Sequence, residues 1–232
     1  PATASTVYEP VPMWAKIPHG LWLREATAVT TDSQDRVYVF NRGKWPMMIF
    51  DSEGNFLEWW GEGEFDRAHG ITIDADDNLY LADDLGHMIE KRKPDGTLIW
   101  RLGERGKPAE WQGGDPFNRP THVAIHPQTG DLFISDGYGN SRVHRYDKNG
   151  KHIKSWGEPG DGPGQFSLPH NVCFVGDDRL LVADNTPPTM DRPAVEKLTA
   201  WHQGLVNIDN LPLADALAEM RRVLTMLRDA EE

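Results

Sequence analysis

The sequence predicts an all-β fold, an incomplete β-propeller of about three and a half blades followed by a helical C-terminal segment. Three observations predict it. One phrase recurs, as TAVTTDSQDRVYVFN (27–41), HGITIDADDNLYLAD (69–83), THVAIHPQTGDLFISD (121–136) and HNVCFVGDDRLLVAD (170–184). Its spacing of about 42 to 52 residues lies in the range of solenoids and propellers. Within each copy, short runs alternate apolar and polar residues between Asp, Asn and Gly turns, the pattern of antiparallel hairpin strands.

The elements follow in chain order. Residues 1–19 are an N-terminal extension, residues 20–185 the repeats, and residues 186–232 a helical segment. Blades are expected at 20–62, 64–106 and 117–165, with a half blade at 166–185. Each full copy adds a third run and a Gly-containing turn, as in MMIF-DSEG-NFLEWWG and VHRYDKNG-KHIKSWG, which makes four strands. Trp60-Gly61, Trp100 with Gly103, and Trp156-Gly157 close the blades: a large ring packs against the next blade, and glycine admits the tight crossing. The insertions KPAEWQGGDP (107–116) and EPGDGPGQ (158–165) read as loops, of the kind that line a propeller mouth. After Asn185 the period is lost. A proline-rich boundary, TPPTMDRP, leads to a short helix in AVEKLTAWHQGLV and a longer one in PLADALAEMRRVLTMLRDAEE. The latter carries Leu213, Leu217, Met220, Leu224 and Leu227 on one face. That face either covers the open edge of the last blade or pairs two chains.

Composition narrows the partners. A net charge of −12 leaves no basic excess for phosphates, so neither nucleic acid nor an anionic membrane surface is an expected partner. No run of eighteen apolar residues exists, and the N-terminus lacks the pattern of a signal peptide. Cys173 is the single cysteine; it excludes an internal disulfide, fits a reducing, cytoplasmic location, and reads as an inert buried thiol on an inner strand. A small molecule or peptide is the ligand class that remains.

The first position of the repeated phrase reads Thr27, His69, Thr121, His170. A repeat of strands presents that position to one place each time, so two histidines from alternate blades face a common axis. A symmetric scaffold can gather a metal site from distant sequence in this way.

Four stretches carry a specific resemblance: VFNRG (39–43), AHGITID (68–74), FNRPTHVAIHPQTGDLFISDGYGNSRV (117–143) and GQFSLPHNVCFVGDDRLLVAD (164–184). Over about residues 20–185 the chain resembles the NHL-repeat propellers, and among them the peptidyl-α-hydroxyglycine α-amidating lyases and their bacterial relatives. The resemblance implies a six-bladed propeller that cleaves the C–N bond of a carbinolamide, giving a peptide amide and glyoxylate. It implies a zinc held by three histidines, a tyrosine base and a substrate-binding arginine. His69 and His170 match two of the zinc ligands, and Tyr138 in SDGYGNSR matches the base. A phenol near a metal dication or an arginine has its phenolate form stabilised, which suits that role. Arg42 in VFNRG matches the carboxylate clamp, where a guanidinium grips with two parallel hydrogen bonds. Asn140 and Arg142 of the same motif are expected to fix the loop.

The chain departs from the family in several places. The family's third histidine, in a P-H-D phrase of the last blade, and the acidic ligand of a structural calcium beside it find no counterpart here. Asn185 stands where relatives carry arginine at the substrate. His122 replaces an acidic residue beside the channel; it is a substitute ligand only if strand alternation does not turn it away. The extracellular enzymes' disulfide would join the positions of Asn118 and Gly139, and both cysteines are absent.

Two rival functions stand beside a zinc-dependent lyase: a non-catalytic propeller that binds a peptide, protein or small ligand, and a calcium-dependent hydrolase of the sugar-lactonase type. The acidic turns DSQD, DADDN and GDD are better read as strand-joining turns than as calcium loops. Open blade edges or the C-terminal helix are expected to favour self-association.

Overall fold

Strand formation follows the alternation, and each repeat builds one antiparallel meander. A computed structural model describes residues 10–176 and 179–185. The first blade is β1 (Ala26–Thr31), β2 (Val37–Asn41), β3 (Met47–Phe50) and β4 (Phe56–Trp60). The second is β5 (Ala68–Ile73), β6 (Leu79–Asp83), β7 (Met88–Arg92) and β8 (Leu98–Leu102). The third is β9 (His122–Ile125), β10 (Leu132–Asp136), β11 (Arg142–Tyr146) and β12 (His152–Trp156). A two-residue parallel bridge, β13 (Glu158–Pro159) with β14 (Gln165–Phe166), precedes the two-stranded fourth sheet, β15 (Pro169–Val175) and β16 (Arg179–Asp184). Sheet order is sequential in every blade, with β1, β5, β9 and β15 innermost and side by side. The predicted helices of residues 186–232 lie outside the described residues. Among the described residues, no helix is long and apolar enough to cross a membrane.

The blades stack face to face through apolar seams. Tyr38, Phe40, Met47 and Ile49 of blade one meet Ala68, Ile71, Leu79 and Leu81 of blade two. Tyr80, Ala82 and Ile89 then meet Phe117, Val123, Leu132 and Ile134, and Ala124 and Val143 meet Phe166, Val172 and Val182. The closing position works as expected at Trp60, whose indole donates to Pro94 O of the next blade (3.1 Å) and lies where a Cβ on Gly96 would sit. In blade two the equivalent closer is Leu102, not Trp100: Leu102 precedes Gly103 and packs on Gly150 of blade three, whereas Trp100 lies on Tyr80. Gly61, Gly103 and Gly157 all have positive φ (91°, 87° and 107°), as the crossing requires.

Two aspartate devices repeat. The first is the turn after the inner strand: Asp32, Asp74 and, in the outer hairpins, Asp51 and Asp147 each accept N–H bonds from residues two and four positions on. At Asp32 and Asp74 this is the strand-joining turn expected of DSQD and DADDN, with Asp74 Oδ2 also paired to Lys91, whereas residues 177–178 of the GDD turn lie outside the described residues. The second is the residue ending the second strand. Asp83 accepts from the backbone N–H groups of Asp66, Arg67 and Gly86 at 2.7, 2.8 and 2.9 Å. Asp136 takes Asn118 N, and Asp184 takes Ser167 N and Leu168 N. In the second, third and fourth repeats this carboxylate pins the segment that leads into the inner strand, and in the first the amide oxygen of Asn41 stands in its place, accepting from Arg24 N and Gly43 N.

Trp14, Ala15, Ile17, Leu21 and Leu23 pack on Val39, Trp45, Met48 and Phe50 of the first blade. Two expectations need correction. The loop 158–165 is pinched by the β13–β14 bridge rather than wholly irregular. Cys173 is exposed, not buried. It alternates with buried Val172 on β15 and points to the far face of the fourth sheet, which no described residue covers. What burial it retains pushes its thiol pKa up, which disfavours the thiolate.

Candidate functional site

His69 and His170 lie at the axial ends of inner strands, and both sit in bulges. The register of β5 shifts between Ala68 and Ile71, and that of β15 between Pro169 and Asn171. β1 shifts at the same repeat position, between Ala26 and Ala28. A bulge re-aims a side chain without ending the strand, which turns these histidines inward. Gly70 admits the neighbouring blade here: a Cβ on it would stand 2.4 Å from Thr121 O.

Tyr138, two residues past β10, bridges the pair. Its hydroxyl lies 2.9 Å from His170 Nε2 and 3.3 Å from His69 Nε2, and the imidazole centroids are 4.8 Å apart. His69 Nδ1 lies 2.8 Å from Thr121 O; as a donor there it leaves Nε2 with its lone pair toward the site. Burial first, and then the charge on His170, push the His69 pKa down to about 4, so its imidazole is neutral at pH 7. Two imidazole nitrogens from rigid inner strands are donors of the kind zinc accepts, and the phenol oxygen lies between them. Among the described residues no group of three His, Cys, Asp or Glu assembles around a metal position, so the cluster supplies two imidazole ligands.

Asn140 and Arg142 do fix the loop. Asn140 Nδ2 donates to Asp136 and Gly113 O, and Arg142 donates to Gln112 O, which ties the 107–116 insertion to the Tyr138 turn. Gly139 lies against Asn118, where a Cβ would meet Asn118 Oδ1 at 2.2 Å, so these two positions are indeed neighbours. Arg42 reaches the cluster's edge, with Nε donating to Ala68 O (3.2 Å) beside His69. Asn185 follows β16, and its backbone N–H donates to Leu168 O.

His122 is turned away from Tyr138, as alternation requires. Its Nδ1 lies 3.1 Å from Val172 O and its Nε2 3.3 Å from Thr72 Oγ1, so it ties β5, β9 and β15 together. Burial pushes its pKa down to about 4. The folded protein therefore keeps His122 neutral where the unfolded chain, titrating near 6.5, takes up a proton. The stability this group contributes is full above pH 6.5 and is lost as pH falls from 6.5 to 4, with a slope of at most ~1.4 kcal/mol per pH unit; buried His69 acts in the same direction. Urea midpoints from pH 7.5 to 4.5 should decline, and His122→Asn should flatten the decline. A wild-type midpoint constant over that window would contradict this.

Three site residues have no signal in the repeat spacing. Arg67 and Arg119 both lie over the Tyr138 ring, their guanidinium carbons 5.6 and 4.6 Å from its centroid. Both donate to Oδ2 of Asp84, at 3.1 and 2.7 Å, and Asp84 is fully buried. Only their place in the segments that enter β5 and β9, just before the matched positions 69 and 121, marks them in the sequence.

Three successive four-stranded meanders, packed through apolar seams with their inner strands side by side, define β-propeller blades. No protein-family model matches the chain. Relatives do. It is 33% identical to the peptidylglycine alpha-amidating monooxygenase of Rattus norvegicus over 193 residues, which covers 69% of this chain and 20% of that protein. It is 30% identical to the peptidyl-alpha-hydroxyglycine alpha-amidating lyase 1 of Drosophila melanogaster over 197 residues (69% and 36%). The NHL repeat-containing protein 3 of Homo sapiens is 29% identical over 180 residues (72% and 51%). Among solved structures, a streptogramin B lyase superposes with a TM-score of 0.51 at 16% identity, over 67% of this chain and 47% of that one, a likeness of fold alone. The repeat region is thus homologous to amidating-lyase and NHL proteins, and the chain spans from 20% to 51% of the length of these relatives.

Proposed function

We propose that this chain is a C–N lyase acting on an α-hydroxyglycine-type amide, with His69 and His170 as zinc ligands, Tyr138 as the base and Arg42 at the substrate carboxylate. The observation that carries the reading is the Tyr138 hydroxyl set between two imidazole nitrogens at 2.9 and 3.3 Å. Bound zinc would supply Lewis-acid polarisation of the substrate oxygen. Tyr138 takes the proton from the carbinol hydroxyl; the C=O of glyoxylate forms as the C–N bond breaks, and Tyr138 hands that proton on to the departing amide nitrogen. His69, neutral at pH 7 and steered by Thr121 O, keeps Nε2 available. Arg42, on the blade-one side, orients the carboxylate.

A binding-only propeller for a peptide or small ligand is the second reading, favoured by the two-histidine donor set among the described residues. Purified protein analysed for metal, together with glyoxylate release from an N-acyl-α-hydroxyglycine, separates the two. Near one zinc per chain and glyoxylate release, both lost in a His69→Ala/His170→Ala double variant, are the expected results. Protein free of zinc and silent on that substrate would leave the binding reading.

A further inference from the structure

We propose that blade three carries a second reactive site, an acyl-transfer centre in which Ser155 is the nucleophile, His144 its base and Asp136 the group that orients the base. Ser155 Oγ stands 2.7 Å from His144 Nδ1, and His144 Nε2 stands 3.1 Å from Asp136 Oδ2. A nucleophile within hydrogen-bond reach of a base, itself oriented by a third group, is the arrangement that activates a hydroxyl. Asp136 also accepts from Asn118 N and Asn140 Nδ2, so its place is set before any ligand arrives. As an acceptor it takes the Nε2–H of His144, which leaves the Nδ1 lone pair toward Ser155. His144 and Asp136 are fully buried, whereas Ser155 is half-buried on the outermost strand, β12.

The blade itself does not require this pairing. His144 and Ser155 face each other across β11 and β12, and the same places hold Glu90 and Arg101 in blade two and Ile49 and Glu58 in blade one. Those partners are a buried acid paired with an arginine, and a core residue beside an exposed acid. Among the described blades, the third puts a base opposite a hydroxyl. The 107–116 insertion passes over the pair: Ser155 Oγ lies 2.7 Å from Gly114 O, and on its own strand 2.7 Å from His152 Nε2. A hydroxyl has one proton, so His144 Nδ1 and Gly114 O compete for it, while His152 Nε2–H donates to the oxygen. His152 is thereby placed to meet charge that develops beside Ser155. Apart from its chain neighbours, a Cβ on Gly114 would meet only Ser155 Oγ within 4 Å, at 3.9 Å, so the glycine leaves room beside the hydroxyl. With the loop this close, the chemical class that fits is a small ester with a compact acyl group.

In the reaction, Ser155 Oγ bonds to the ester carbonyl carbon while its proton passes to His144 Nδ1. The C–O bond to the alcohol breaks, and that proton leaves with the alkoxide. Water then attacks the acyl–serine ester and gives a proton to His144 Nδ1; the acid departs as Ser155 Oγ takes that proton back. No residue of the His69, His170 and Tyr138 cluster takes part, so this site and the lyase reading can fail independently. The test treats the full chain with a fluorophosphonate probe, locates the labelled residue by peptide mass, and follows p-nitrophenyl acetate hydrolysis. Wild type is expected to be labelled at Ser155 and to release nitrophenol, and Ser155→Ala should lose both. His144→Gln, shown to be folded by its urea midpoint, should label ~10²–10⁴-fold more slowly. A comparison that needs no variant is native against urea-unfolded wild type, where the native chain should react at Ser155 at least ~10²-fold faster. Native protein unlabelled at Ser155, labelled no faster than the unfolded chain, or labelled no faster than a folded His144→Gln would overturn the proposal. Ser155 would then be a tie that holds the 107–116 loop to β12.

Discussion

Asp83→Ala is expected to destabilise the repeat region by about 3 kcal/mol or more, enough to unfold a large fraction of a marginally stable chain. Asp83 is fully buried, and its Oδ1 accepts from Arg67 N and Gly86 N while Oδ2 accepts from Asp66 N. Burial raises its pKa, which the three N–H bonds oppose, so the environment is one where an unmade hydrogen bond is costly. Alanine leaves three backbone donors without their acceptor, at about 1 kcal/mol or more for each that stays dry. Asp83→Asn keeps one acceptor oxygen and should fall between alanine and wild type. Urea denaturation followed by tryptophan fluorescence reads both. The loss should reach the site as well, because Arg67, whose guanidinium lies over the Tyr138 ring, hangs from this carboxylate by its backbone. An alanine variant with a wild-type midpoint would show that water replaces the carboxylate without cost.

The same device explains what was legible in the sequence. Alternation and turn residues marked the strands of all four repeats because each has one face on a neighbouring blade. The phrase-ending aspartate was visible too, though only the structure shows that it holds the lead-in to the inner strand. His69, His170 and Tyr138 stand out in the sequence because they occupy equivalent or motif-defined positions, and the three side chains meet at the ends of bulged inner strands. Arg67 and Arg119 sit in lead-in segments outside the alternation, and their convergence on Asp84 depends on the packing of blade two against blade three. Nothing local announces that meeting. Leu102 was missed for a related reason: the closing position needs bulk, and leucine fills it as tryptophan does in blade one. Cys173 was misread because strand alternation alone does not say which face has a neighbour. The reverse holds at the first blade, whose outer face is covered by residues 14–23, a segment with no repeat pattern at all.

Tyr138→Phe should lower glyoxylate release by ~10²–10⁴-fold, the usual contribution of a positioned acid–base group, while leaving bound zinc unchanged. Phenylalanine keeps the ring, so the contacts with Arg67 and Arg119 survive, and only the hydroxyl between His69 and His170 is removed. That separation makes the variant informative. Neither histidine is a ready substitute base: His69 is committed to Thr121 O at one nitrogen and is held neutral by burial, and both Nε2 atoms are the proposed metal donors. Steady-state rates with an N-acyl-α-hydroxyglycine, read beside metal content and a urea midpoint, distinguish three origins of any loss. A fall in rate with zinc and midpoint intact places the phenol in proton transfer. A parallel fall in zinc means that the hydroxyl holds the two imidazoles in place, which makes Tyr138 a positioning residue. Full activity in Tyr138→Phe would remove it from the chemistry and return the site to a binding role.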